Sequence, residues 1–181
     1  MKTTILSILG LMLLTVSCSQ EPTLQKYFVE HAESKDFILL DVAPNFMKAD
    51  KKLKLTPEEQ TALNSMQKLN VLALQATPTN KAQLKAEQKK VEKLLKGEEY
   101  EELMHIGAPD KGAAIHMVGE GDAIEEFVVY VHNQENGMAV VRILGEDMNP
   151  NNIMTLVGLL QKGNLDLEQL KPLEQLMTAK K

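Results

Sequence analysis

The stretch IEEFVVYVHNQENGMAVVRILG, residues 124–145, decides the fold. Its two halves, 124–132 and 138–145, are rich in β-branched and aromatic residues, and they meet at Asn136-Gly137, a pair that suits a tight hairpin turn. Phe127, Val129 and Val131 alternate with Glu126, Val128, Tyr130 and His132, and Val141 and Ile143 answer them on the partner strand. One face is apolar and the other mixed, the pattern of an antiparallel sheet covered by helices on one side. The mixed face gathers Glu126, Tyr130, His132 and Arg142, which are expected to point outward. Cross-strand pairing of polar residues accounts for most clusters of this kind. The sharper reading makes these four a candidate interaction face, a docking patch for a protein or a small acidic ligand.

Working outward, residues 103–107 and 112–118 continue the β character, so a strand meander fills the second half. Phe37 to Val42 is a compact apolar run and predicts a buried strand; Asn70 to Ala76 predicts another, apolar on both faces. Helices separate them. Leu24, Tyr27, Phe28, His31 and Ala32 fall at helical spacing. Thr56-Pro57-Glu58-Glu59 combines a capping residue, a proline suited to the first turn and a glutamate that completes a capping box, so a helix is expected from there to about Lys68. Asn80 to Lys96 places Leu84, Val91, Leu94 and Leu95 on one side and lysines on the others. Those lysines suit a solvated face, or a basic strip against anionic lipid headgroups. Asn149-Pro150 opens a further helix through Leu160. The expectation is an α+β fold, a two-layer sandwich of five to six strands in a mostly antiparallel sheet with helices packed on one face. The α+β domain should span 23–163, followed by a C-terminal helical tail at 164–181.

The N-terminus carries a different message. Met1-Lys2 is followed by an apolar run from Ile5 to Leu14 and then Thr15-Val16-Ser17-Cys18. That order is a secretory signal, and the run is too short to span a membrane. It resembles the bacterial lipobox, with Thr15 where leucine is usual. Residues 1–17 are therefore expected to be a lipoprotein signal peptide cut between Ser17 and Cys18, with lipid on Cys18 and a tether at 18–22. Cys18 is the one cysteine of the 181-residue chain, so no disulfide can form within it. Two or three acyl chains hold a protein to a bilayer where one would not. Ser19 is not the aspartate of inner-membrane retention, so an outer-membrane lipoprotein is expected, on the periplasmic face or the cell surface.

Taken together, the lipobox, Tyr100-Glu101-Glu102-Leu103-Met104 after a lysine-rich helix, and a hairpin ending in Val141-Arg142-Ile143-Leu144-Gly145 are familiar. The chain resembles the Bacteroidetes lipoproteins of the domain-of-unknown-function 4252 family over about residues 25–160. The resemblance implies an exported lipoprotein with a small α+β domain. It implies no activity, and no catalytic residue is carried over from it.

Composition narrows the function further. The formal charge is −5, Arg142 is the one arginine and tryptophan is absent, a poor basis for nucleic-acid binding. Beyond the signal the serines are Ser19, Ser34 and Ser65, none in a nucleophile elbow, and no Walker or dinucleotide glycine pattern occurs. His31, His105, His116 and His132 show no zinc-ligand spacing, although His116 and His132 could approach across neighbouring strands near Asp110 or Asp122. Glu98, Glu99, Glu101 and Glu102 lack the spacing of a calcium loop. No catalytic site, metal or cofactor is expected. The leading expectation is a non-enzymatic binding or interaction module of the cell envelope, with membrane contact through Cys18 and an envelope protein as partner. A small-ligand-binding lipoprotein comes second, marked by a closed apolar pocket between helices and sheet with methionines as candidate lining, and a hydrolase-type enzyme third.

Overall fold

The computed structural model describes residues 22–42, 55–121 and 123–161. The expected signal peptide, Ser17, Cys18, the irregular stretch after Val42, Asp122 and the C-terminal tail lie outside the described residues. The elements in chain order are α1 (Leu24–His31), β1 (Phe37–Val42), α2 (Pro57–Ser65), β2 (Met66–Gln75), α3 (Lys81–Leu94), β3 (Glu101–Ala108), β4 (Lys111–Glu120), β5 (Ala123–Asn133), β6 (Gly137–Met148) and α4 (Pro150–Gln161).

Local chemistry explains where the elements begin. Thr23 caps α1 by accepting from the Lys26 N–H. At α2 the capping box forms as expected: the Thr56 hydroxyl accepts from the Glu59 N–H at 3.2 Å, and the Glu59 carboxylate accepts from the Thr56 N–H at 2.8 Å. This helix stops at Ser65, short of the expected Lys68, because Met66 is already extended and pairs with Gly145 on β6. In the β5–β6 hairpin the connection is Gln134-Glu135-Asn136, with Gly137 opposite Asn133 as the first residue of β6. The Asn133 side chain accepts from the N–H groups of Glu135 and Asn136, an Asx-type turn.

The six strands form one antiparallel sheet in the order β1-β2-β6-β5-β4-β3. The fold is α+β, and strands β3 to β6 form the expected meander. Helix α2 joins two adjacent antiparallel strands, whereas α3 carries the chain from β2 to the far edge, where β3 begins.

The expected single helical layer is corrected by the structure, because helices lie on both faces. On one face, Val71 of β2, Phe127 of β5 and Ile143 of β6 pack with Leu63 of α2 and with Ile153 and Leu156 of α4. On the other, Leu72, Leu74, Val128, Tyr130 and Val140 pack with Leu24, Tyr27 and Phe28 of α1 and with Leu84 and Val91 of α3. The cause lies in the central strands. Leu69 to Leu74 are all buried, so β2 shows apolar side chains on both sides. One helical layer would leave half of them in water, at about 1.5–3 kcal/mol for each large side chain.

Candidate functional site

The four residues of the candidate interaction face do share one face of the sheet, but that face is covered by α1 and α3. Glu126, Tyr130 and Arg142 are buried, and His132 is half-buried. Arg142 and Glu126 form a two-pronged pair, Nε to Oε1 at 2.6 Å and Nη2 to Oε2 at 2.7 Å. Gln25 of α1 accepts from Nη1, and the Phe28 ring lies 5.4 Å from the guanidinium carbon. The pair therefore fastens α1 to the sheet, and the outward docking patch is not what these side chains build. A second polar network crosses the same layer. Glu87, on the inward side of α3, accepts from the Tyr27 hydroxyl at 2.9 Å and from Lys90 at 2.7 Å, and lies 3.5 Å from His31 Nε2. The helical spacing of Leu84, Glu87, Gln88 and Val91 carried the signal for it: an acid on the buried stripe requires a partner.

Further along this face lies a cavity of about 250 Å3 between the last turns of α3 and strands β3 to β5. Its floor comes from β4, where residues are small. Ala114 stands between His105 on β3 and Tyr130 on β5, and Gly112 lies opposite His132. His132 leans over Gly112, its Nε2 only 2.9 Å from where a Cβ would stand, and stacks on Tyr130 with ring centres 5.4 Å apart. His116 and Glu102 close one end, Nε2 and Oε2 4.0 Å apart, while Glu92, Leu95 and Lys96 form the roof.

Two polar atoms in this lining have no partner among the described residues. The Tyr130 hydroxyl and His116 Nδ1 are both buried, and neither makes a hydrogen bond there. Leaving such a group unmet costs about 1–3 kcal/mol. Burial, reinforced by the charge of Glu92, pushes the Tyr130 hydroxyl far above its usual range, so it stays protonated. Burial also lowers the His116 pKa, helped by His105 and opposed by Glu102. The cavity lining thus includes a neutral phenol and a neutral imidazole, each able to donate or accept.

The lowered pKa of His116 predicts a pH dependence. The unfolded chain takes up a proton near the ordinary histidine value of about 6.5, and the folded chain resists it to lower pH. The stability linked to His116 is fully present above that value and is lost as pH falls through it towards the folded pKa. Urea midpoints about one unit above and below 6.5 should therefore differ more for the wild type than for His116→Gln.

His116 and His132 share a face but sit at separate rungs, opposite Val128 and Gly112, and Asp110 occupies the β3–β4 turn. Among the described residues no group of three His, Cys, Asp or Glu side chains is placed to hold a metal ion, and no helix is long and apolar enough to cross a membrane. Sequence reasoning did not single out Glu92, Glu102 and His105 as lining partners. Glu92 comes from α3 and the other two from β3, and only the β3–β4–β5 register and the crossing of α3 bring them together.

No curated protein and no solved structure matches this chain. A family model described as a domain of unknown function, DUF4252, matches residues 27–156, from the middle of α1 to the middle of α4, and the chain belongs to that family.

Proposed function

We propose that the protein is an exported lipoprotein, anchored through Cys18, whose domain binds a small polar molecule in the cavity between α3 and the sheet, without catalysis. The observation that carries this reading is the pair of buried polar atoms without a partner among the described residues, Tyr130 Oη and His116 Nδ1, in the lining of one cavity. A ligand hydroxyl or amide would satisfy both, since each such group donates and accepts. At about 250 Å3 the cavity is smaller than the common range of about 300–1,000 Å3 for small-molecule sites, so the ligand is compact. A carboxylate beside Tyr130 and His116 would meet no fixed positive charge there. Glu92 and Glu102 would repel it more than Lys96 at the roof would attract it.

The test uses Tyr130→Phe. In the empty protein this change removes an unmet hydroxyl and should leave stability within about 1 kcal/mol of wild type or raise it. Against a panel of neutral polyols and primary amides, followed by ligand-detected NMR, the same change should weaken binding about tenfold, as expected for losing one good hydrogen bond. Binding that is indifferent to Tyr130 would move the site elsewhere. Anchoring is tested separately: Cys18→Ala should shift the protein from the membrane fraction to the soluble one, and Ser19 supports the outer membrane as its destination.

One observation favours a second reading, an envelope protein partner. Among the described residues strand β3 is an edge of the sheet, and its residues are all exposed, including Leu103, Met104 and Ile106, the last at 62%. An open edge with apolar side chains is a site for strand addition. Ile106→Lys should abolish capture of such a partner while leaving ligand binding intact.

A further inference from the structure

We infer that the outward face of α3 lies against the headgroups of anionic phospholipids, so the domain rests on its membrane in one fixed orientation. This rests on the anchoring of Cys18 proposed above. The first consideration is reach. An extended chain covers at most about 3.6 Å per residue, so four steps from Cys18 hold Pro22 within about 14 Å of the lipid. The second is what stands beside Pro22. Pro22, Thr23, Lys26, Tyr27 and Glu30 line one side of a groove whose other side is Lys90, Lys93 and Leu94 of α3. A short tether therefore brings the last turns of α3 towards the bilayer.

The third consideration is charge. The chain is acidic overall, yet α3 and its C-terminal turn expose Lys81, Lys85, Lys89, Lys90, Lys93 and Lys96. Of the two acids in that stretch, Glu87 is turned inward and held by Tyr27 and Lys90, which leaves Glu92 on the exposed surface. Helical geometry puts Lys85, Lys89, Lys93 and Lys96 within about 80° of one another, opposite the buried stripe of Leu84, Val91 and Leu95. Such a strip attracts an anionic leaflet over about a Debye length, a range that the tether length matches. The cavity opens between this helix and β3, so its mouth would lie to the side, accessible from the aqueous phase.

The experiment uses the acylated mature protein purified from membranes, with the mass of the purified chain read first. It is reconstituted into vesicles of phosphatidylethanolamine and phosphatidylglycerol, or of phosphatidylcholine. Cys18 is the chain's one cysteine, so a single added thiol is a unique probe once Cys18 is acylated. Ala86→Cys lies on the exposed side of α3, and Met154→Cys lies on α4, across the sheet, where Met154 is 55% exposed. With a polymer-linked maleimide, Ala86→Cys should react about tenfold more slowly in the anionic vesicles than in the neutral ones, while Met154→Cys reacts equally in both. Salt that shortens the screening length to about 3 Å should remove the difference, and so should Lys85→Glu/Lys89→Glu/Lys93→Glu. Equal rates at Ala86→Cys in both vesicles, or protection that survives salt and the triple change, would overturn the orientation. A chain without acyl groups on Cys18 would instead remove the anchoring reading itself, and the orientation with it.

Discussion

Replacing Arg142 by alanine is expected to destabilise the protein by about 3–5 kcal/mol, enough to lower its melting temperature by about 10 °C for a domain of this size. The reason is the carboxylate left behind. Glu126 is 8% exposed and both its oxygens are held by the guanidinium. Without Arg142 it must keep an uncompensated charge under α1 or take up a proton. The loss also frees Gln25 and removes the cation from the Phe28 ring, so α1 should loosen first. Amide exchange should then rise in α1 before it rises in β5 or β6. A paired change separates charge from packing. Glu126→Leu/Arg142→Met removes both ionised groups while filling the space, and it should lie within about 1–2 kcal/mol of wild type, or above it. Urea denaturation of the three proteins checks this, and a double variant as weak as Arg142→Ala would show that shape, rather than the unpaired acid, sets the cost.

The second large effect is expected at Gly137. Its φ of +128° is a conformation that residues with a Cβ rarely adopt, and a Cβ there would stand 2.2 Å from the Leu74 carbonyl oxygen and 3.0 Å from the Ala76 nitrogen. Both contacts are backbone, so neither can swing aside. The close approach is what lets β2 and β6 stay in register to the end of the pair, where Gln75 meets Gly137 and the Ala76 N–H donates to the Asn136 carbonyl at 3.0 Å. Gly137→Ala should cost about 3 kcal/mol or more, the strain and the displaced strand end adding together. Gly121, also at positive φ but with open space around it, is the control: Gly121→Ala should cost about 1 kcal/mol.

These two positions show what could be read from the chain and what could not. A hairpin turn next to Gly137 was legible, because Asn-Gly between two β-rich runs has a local cause, although the connection is Gln134-Glu135-Asn136 and Gly137 already pairs in β6. The capping box of α2 was legible for the same reason, and so was the meander. Arg142 and Glu126 were legible as neighbours on one face, since alternation and register follow from the hairpin. Their burial was not. A polar side chain in a strand reports that it has solvent or a partner, and the partner here includes Gln25, which is distant in sequence and brought near only by packing. The same holds for the cavity. Gly112 and Ala114 are ordinary small residues until the pairing of β4 with β3 and β5 sets them between His105, Tyr130 and His132.

The strand order has a consequence for how the molecule comes to exist. Strand β2 sits between β1 and β6, so its inner neighbour is the last of the described strands to be made. During synthesis β1 and β2 can form only a two-stranded pair, marginal by itself in water, while both apolar faces of β2 wait. The meander from β3 to β6 assembles through local hairpins, and its docking along β2 is then a single non-local event that closes the sheet. Folding should accordingly show a slow phase set by contact order, with the β2–β6 seam formed late.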